Sequence, residues 1–422
     1  MPELLRLHTL SEAQKLLEKN LPKDLLQGRV GVEQVNISSA LGRIIAADIF
    51  SPLDLPPFAR SVMDGFAVRA QDTFGASDGL PAQLAIIGEV KMGQAAAVTV
   101  GAGQAAKIPT GGMLPPGADA VVMVEHTHSF MVSEVEPWGT GIIEVARSVA
   151  PGENIVGVGE DLKQGDLLLA AGARVRPQDI GALAGVGILD ISVYRRPRLG
   201  LLSTGNEIVP PENEPTPGQI RDINSPALAA AAQALGAEVL FFGIVKDLRD
   251  ELRASLRKAF AATDLVVLSG GTSVGIEDMV AECIAELGPP GILVHGLNIK
   301  PGKPVIIAVA QGKPLFGLPG HPASSLLTFD LVVAPLLRKM TGTPPRPHPR
   351  VKALLSRNLP SAPGREDFYR VKLEERDGRL CAVPLLGKSA LISTLLHADG
   401  LLHIASEKEG IYEGEAVEVE VF

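Results

Sequence analysis

A chain of 422 residues, 46% hydrophobic and 21% charged, carries enough apolar material for two to four packed domains. Its net charge of −9 and aromatic content of only 4% exclude a protein whose main business is to hold a phosphate backbone or stack on bases. Two cysteines, Cys283 in a helical pattern and Cys381 in a strand-like one, make neither a disulfide framework nor a metal motif; they read as small buried hydrophobes in a reducing cytoplasm.

The amino terminus lacks a basic stretch followed by an apolar core, so it does not read as a signal peptide. "SEAQ" reads as a capping box, with Ser11 as N-cap and Gln14 reaching back, at the start of an amphipathic helix. "VGVEQVNISSALGRIIAADI" mixes a short strand with a helix. From residue 53 to about 144, short alternating runs such as "LAIIGEV" and "AVVMVEHT" are separated by Gly and Pro clusters, the texture of a β-rich unit.

Between 181 and 342 strands alternate with amphipathic helices: "RLGLLSTG", "NSPALAAAAQALG" (Ser225 as N-cap, Pro226 at N1), "EVLFFGIVKD", "LRDELRASLRKAFAAT", "DLVVLSGG", "EDMVAECIAELG", "GILVHGLNI", "PVIIAVA", "KPLFGLPG" and a closing helix "ASSLLTFDLVVAPLLRKMTG". That order predicts a mostly parallel sheet covered on both faces. The apolar stretch 227–245 is broken by Gln233, Gly236 and Glu238, so it reads as helix then strand and not as a membrane span. After the proline-rich "GTPPRPHPR", residues 343–422 give five short strands and predict a small β-barrel.

In open α/β sheets ligands bind beyond the carboxyl ends of the strands. Five successive exits there carry Ser203 to Glu207, Lys246 and Asp247, Ser269 to Ser273 followed by Asp278, "KPGKP" with Lys300 and Lys303, and "LPGHP". Each alone would be an ordinary turn; together they suggest one site. "LSGGTSVGIED" offers backbone amides and a helix N-terminus to an anion, yet it ends in carboxylates. A divalent cation between carboxylate and phosphate reconciles the two, so the residues predict a Mg2+-dependent enzyme acting on a phosphate or pyrophosphate ester. There is no GxxxxGK[ST] and no GxGxxG opening the first helix, which excludes a P-loop protein and a dinucleotide dehydrogenase. Outside this unit, "ARSVMDGFAV", "IPTGGMLPPGADAVV" and "GENIVGVGEDLKQGD" also have the look of functional loops.

Read in order, "SVMDGFAV", "IPTGGMLPPGADAVV", "GEDLKQGD", "STGNEI", "DINSPAL", "LSGGTSVGIED", "IKPGKP" and "GLPGHPASS" resemble the MoeA family of molybdopterin molybdenumtransferases, to which the gephyrin E domain is related. The resemblance implies a discontinuous helical domain I (1–52 and 145–180), an inserted β-rich domain II (53–144), an α/β domain III (181–342) and a β-barrel domain IV (343–422). It also implies a homodimer whose site lies between domain III of one subunit and domain II of the other. The implied reaction takes adenylylated molybdopterin and molybdate, cleaves the pyrophosphate link, releases AMP and requires Mg2+. A molybdopterin adenylyltransferase, which would supply the substrate, is the expected protein partner.

Carried over by motif, the catalytic set is Asp64, Thr110, Asp161, Glu207, Asp247 and Asp278, with Asp247 and Asp278 as the metal ligands. Substrate would be bound by Ser269, Gly270, Gly271, Thr272, Ser273, Lys300, Lys303, Pro319, Gly320, Pro322, Arg370 and Ser389. Three positions depart from the family pattern: His321 stands where Asn is usual, Thr272 where Val is common, and Gly296 where some relatives have Lys. Two other readings compete. An adenylyltransferase would lack the domains that hold Asp64, Thr110 and Asp161, and a gephyrin-like scaffold would have no need of a full acidic set.

Overall fold

The computed structural model describes residues 7–28, 30–131, 141–270, 276–342 and 349–422. Helix α1 (Leu10–Asn20) has its N-cap two residues before the Ser11 suggested by the sequence. Thr9 is the N-cap: its hydroxyl accepts from the Glu12 amide at 3.2 Å, and Glu12 accepts from the Thr9 amide at 3.0 Å. Gln14 is drawn away instead, its Nε2 donating to the Leu331 carbonyl at 2.9 Å. The buried face of α1 (Ala13 and Leu17), with Leu21 just beyond its end, packs into the core of the α/β sheet.

Strand Val32–Asn36 pairs antiparallel with Asp190–Tyr194. The helix expected after it shrinks to a 3₁₀ turn, Ile37–Ser39. Asn36 caps that turn through the Ser38 amide at 3.1 Å, and Gly42, at φ +74°, turns the chain away. The inserted unit is a six-stranded sheet in the order Ala120–Met123, Gly65–Val68, Gln104–Ile108, Ala82–Glu89, Gly141–Val145, Thr127–Met131. Phe66, Val68, Leu84, Val122 and Ile143 fill one face of it.

The α/β unit runs β1 (Arg198–Thr204), α2 (Asn224–Ala234), β2 (Glu238–Val245), α3 (Arg249–Ala262), β3 (Leu265–Ser269), α4 (Ile276–Ala285), β4 (Pro290–His295), β5 (Ile299–Lys300), β6 (Ile306–Ala310), β7 (Lys313–Leu318), α5 (Pro322–Thr328) and α6 (Ala334–Met340). The sheet order is β2-β1-β3-β7-β6-β4. β2, β1, β3 and β7 are mutually parallel, and β6 runs antiparallel to both its neighbours. Strand β3 shows why the apolar run is unbroken: Leu265 and Val267 join the core under α1 and α2, while Val266 and Leu268 join the core under α3 and α4.

Two helices differ in detail from the sequence expectation. α2 begins at Asn224, and the capping acceptor is Asp222, whose Oδ1 takes the Ser225 amide at 3.0 Å. The closing helix is interrupted by a π-turn, Phe329–Val333. Pro335 has no amide to give the carbonyl of Leu331, and that carbonyl is the one that accepts from Gln14.

The last unit contains β8 (Arg350–Leu355), β9 (Glu366–Arg376), β10 (Arg379–Pro384), β11 (Gly400–Ile404) and β12 (Ala416–Val421). Their order β9-β10-β8-β12-β11 closes through β9–β11 pairing into a five-stranded barrel. β5 leaves the α/β unit and pairs parallel with the start of β9, Ile299 with Glu366 and Lys300 with Asp367. The lysine loop is thereby stitched to the barrel.

Candidate functional site

Register fixes where the strands end. Ser203 of β1 lies opposite Ser269 of β3, Ser269 opposite Leu318 of β7, and Ile306, where β6 begins, opposite His295, where β4 ends. The five exits named from the sequence therefore share one edge. A cavity of about 1040 Å3 opens there between the sheet and the barrel. Of the residues expected at the site, Glu207, Asp247, Ser269, Gly270, Lys300, Lys303, Pro319, Gly320, Pro322, Arg370 and Ser389 line it. Gly271, Thr272 and Ser273 lie outside the described residues.

The floor is a web of buried hydroxyls. Ser203 Oγ donates to Asp222 Oδ2 at 2.8 Å and lies 2.6 Å from Ser225 Oγ. Asn224 Nδ2 donates both to Ser269 Oγ and to the Gly320 carbonyl, each at 2.8 Å, and so ties the ends of β3 and β7 together. Sequence reasoning named neither Asp222 nor Asn224 as a site residue; "DINSPAL" was the signal that could have found them. Gly270 sits at φ +95°, where an added Cβ would come within 2.3 Å of the Thr204 carbonyl. Gly270→Ala should therefore push β1 and β3 apart at the floor and destabilise the fold by more than about 1 kcal/mol. A lowered denaturant midpoint together with weakened ligand binding would confirm this; an unchanged midpoint would refute it.

The cationic wall comes from two units. Lys300 and Lys303 are exposed on the loop that β5 anchors, whereas Arg370 of β9 is 8% exposed, its Nε without a hydrogen-bond partner. Burial pushes the Arg370 guanidinium below its ordinary pKa. An anion in the cavity would satisfy both the charge and the orphan donor. Gly296, where a lysine was noted as absent, has φ +97°, and a Cβ there would meet Leu7 Cδ2 at 2.7 Å. A side chain at that position would have to displace Leu7 and would be strained by the positive φ.

The acidic wall is Asp247 with Glu207. Asp247 Oδ1 is buried with no hydrogen-bond partner. Burial is the largest cause raising the Asp247 pKa; the Asn206 backbone amide pulls it down, and the neighbouring Glu207 charge raises it further. Asp278, expected to be the second metal ligand, is exposed in the first turn of α4 and is not among the residues lining the cavity. The acidic neighbour that acts on Asp247 is Glu207. Among the described residues no group of three or more His, Cys, Asp or Glu side chains is arranged to hold a metal ion.

Asp64, Thr110 and Asp161 do not line this cavity. All three are exposed, Asp64 and Thr110 in loops of the inserted β unit and Asp161 in the segment that follows it. Asp64 Oδ1 accepts from the Thr110 amide at 2.7 Å, and that amide, with help from the Thr110 hydroxyl, holds the Asp64 carboxyl below the usual range. Asp161 donates its amide to Leu55, on the strand of chain that leads into Asp64.

Family models match the chain in three blocks. "MoeA N-terminal region (domain I and II)" matches residues 8–187, "Probable molybdopterin binding domain" 200–339, and "MoeA C-terminal region (domain IV)" 352–422. Molybdopterin molybdenumtransferase of Haemophilus influenzae is 32% identical over 417 residues, covering 98% of each chain. The Bacillus subtilis protein of the same name is 32% identical over 388 residues, covering 92% of this chain and 89% of its own. Among solved structures, a molybdopterin biosynthesis MoeA protein from Pyrococcus horikosii is 40% identical, covers 99% of both chains and superposes with a TM-score of 0.83. No described helix is long and apolar enough to cross a membrane. With relatives above 30% identity along nearly its whole length, the chain belongs to the MoeA family of molybdopterin molybdenumtransferases, transferases of molybdenum cofactor biosynthesis.

Proposed function

We propose that the chain inserts molybdenum from molybdate into adenylylated molybdopterin, cleaving the pyrophosphate link and releasing AMP. The observation that carries this reading is the polarity of the cavity: buried Arg370 with the exposed Lys300 and Lys303 on one wall, and on the other Asp247 with a buried, unpartnered oxygen. A pyrophosphate ester bridged by a cation has that same polarity. Gly270 brings its backbone to the substrate, Asn224 holds Ser269 in place, and the lysines and Arg370 bind the phosphate and molybdate oxygens.

Asp247 and Glu207 fit Mg2+, which commonly takes one or two carboxylates and completes its shell with phosphate oxygens and water. When bound it neutralises charge developing on the bridging phosphate. The barrel borders the cavity through Arg370, Leu385 and Ser389.

The chain acts as a homodimer in the cytoplasm in this reading, with Asp64, Thr110 and Asp161 of a second copy completing the site; their exposure in the single chain leaves them open to that role. A molybdopterin adenylyltransferase would deliver the substrate. The test is to supply adenylylated molybdopterin, molybdate and Mg2+ and to follow AMP. AMP release that requires molybdate supports the reading. ATP consumption with unmodified pterin would favour an adenylyltransferase, and no turnover with either would favour a scaffold.

A further inference from the structure

The side chain of His321 does something its place in the chain does not require. His321 is the N-cap of α5, yet its imidazole makes no cap hydrogen bond. It reaches out of the α/β unit instead, with Nδ1 2.9 Å from Ser389 Oγ on the barrel. Ser389 is held a second time, its carbonyl accepting from the Ala323 amide at 3.2 Å. Both residues line the cavity, together with Arg370 and Lys303.

The chemistry of this pair has a sign. If Nδ1 accepts, the Ser389 proton is spent on the imidazole and the hydroxyl turns lone pairs toward the cavity, which repels an anion. If Nδ1–H donates, the Ser389 oxygen is already satisfied as acceptor and its proton is free to point at an anion. Arg370, Lys300 and Lys303 line the same cavity as donors for an anion, and the second arrangement adds the Ser389 hydroxyl to them.

We propose that His321 is a positioning residue: it donates from Nδ1 to Ser389 and thereby turns the Ser389 hydroxyl into a donor for an oxyanion in the cavity. The inference rests on the anionic substrate of the proposed function and adds to it the residue that orients one of its donors. Asparagine places its Nδ2 where histidine places Nδ1, whereas glutamine carries its amide one bond too far. The two substitutions therefore separate positioning from bulk.

The test is molybdate affinity, measured by calorimetry on the full chain, for the wild type, His321→Leu, His321→Asn, His321→Gln, Ser389→Ala and the Leu/Ala double variant. The expected result is a loss of about tenfold in His321→Leu, His321→Gln and Ser389→Ala. Affinity within about threefold of wild type is expected in His321→Asn, and the double variant should be no worse than either single change. Wild-type affinity in His321→Leu, additive losses in the double variant, an asparagine variant as weak as leucine, or no molybdate binding by the wild type would each overturn the proposal. Because the readout is binding, it separates from the reaction: a wild type that binds molybdate in this pattern but releases no AMP would retire the proposed function and keep the positioning role.

Discussion

Asp247→Asn will lose AMP release by at least about 100-fold and, at neutral pH, will melt at a higher temperature than the wild type. Both effects come from one atom. Asp247 Oδ1 is buried without a partner, and its carboxyl is raised above the ordinary range first by burial and then by Glu207. A carboxyl whose pKa is higher in the folded state than in the unfolded state stabilises folding below the unfolded pKa. That contribution is lost as pH rises through the folded value, because the unfolded chain ionises more readily. At neutral pH the wild type therefore carries a penalty that asparagine removes.

The melting-temperature gap should close as pH falls below the unfolded pKa and open as pH rises toward neutrality. Added Mg2+ should raise the wild-type melting temperature and leave Asp247→Asn unmoved. A variant that is less stable than wild type at pH 7, or that keeps its activity, would show that Asp247 is a structural carboxylate.

The second large effect lies in the barrel. Asp367 is 0% exposed and is gripped bidentately by Arg365, Nε to Oδ1 at 2.6 Å and Nη2 to Oδ2 at 3.0 Å. Its backbone pairs with Lys300, so this ion pair sits under the seam that carries the lysine loop. Arg365→Met removes one partner and leaves a buried carboxylate without its counter-ion, at a cost on the order of 3 kcal/mol. Arg365→Met with Asp367→Leu replaces the pair by apolar groups and should recover most of that loss. Chemical denaturation of the two variants beside wild type checks both the loss and the recovery; equal midpoints for the single and double variants would refute this role of the pair. Anion affinity should fall in both, since Arg365 also lines the cavity.

The strand exits were legible because continuous apolar runs such as "DLVVL" end abruptly in glycine and hydroxyl residues, and the carboxyl edge of a parallel sheet gathers those ends. The barrel strands were legible for the same reason of pattern. What the sequence hides is cross-linking at long separation. Asn224 reaches residues 45 and 96 positions away, and His321 reaches one 68 positions away. No periodicity encodes such contacts. Burial of single atoms is hidden too. Asp247 and Asp278 look equivalent in sequence, both acids near strand exits, but one is sunk at the cavity wall and the other is turned to solvent by the first turn of α4. The two capping differences have a common cause: a side chain two or three residues earlier caps the helix, Thr9 through the Glu12 amide and Asp222 through the Ser225 amide, so Ser11 and Ser225 fall inside the first turn.

In the proposed function the pyrophosphate link is broken in the cavity between the sheet edge and the barrel. Single-turnover AMP release from adenylylated molybdopterin, with molybdate and Mg2+, tests it most directly in wild type, Lys300→Ala and Asp247→Asn. The expected result is AMP from wild type and a loss of at least about tenfold in Lys300→Ala and about 100-fold in Asp247→Asn, with both variants folded. AMP released by both variants at the wild-type rate would contradict it.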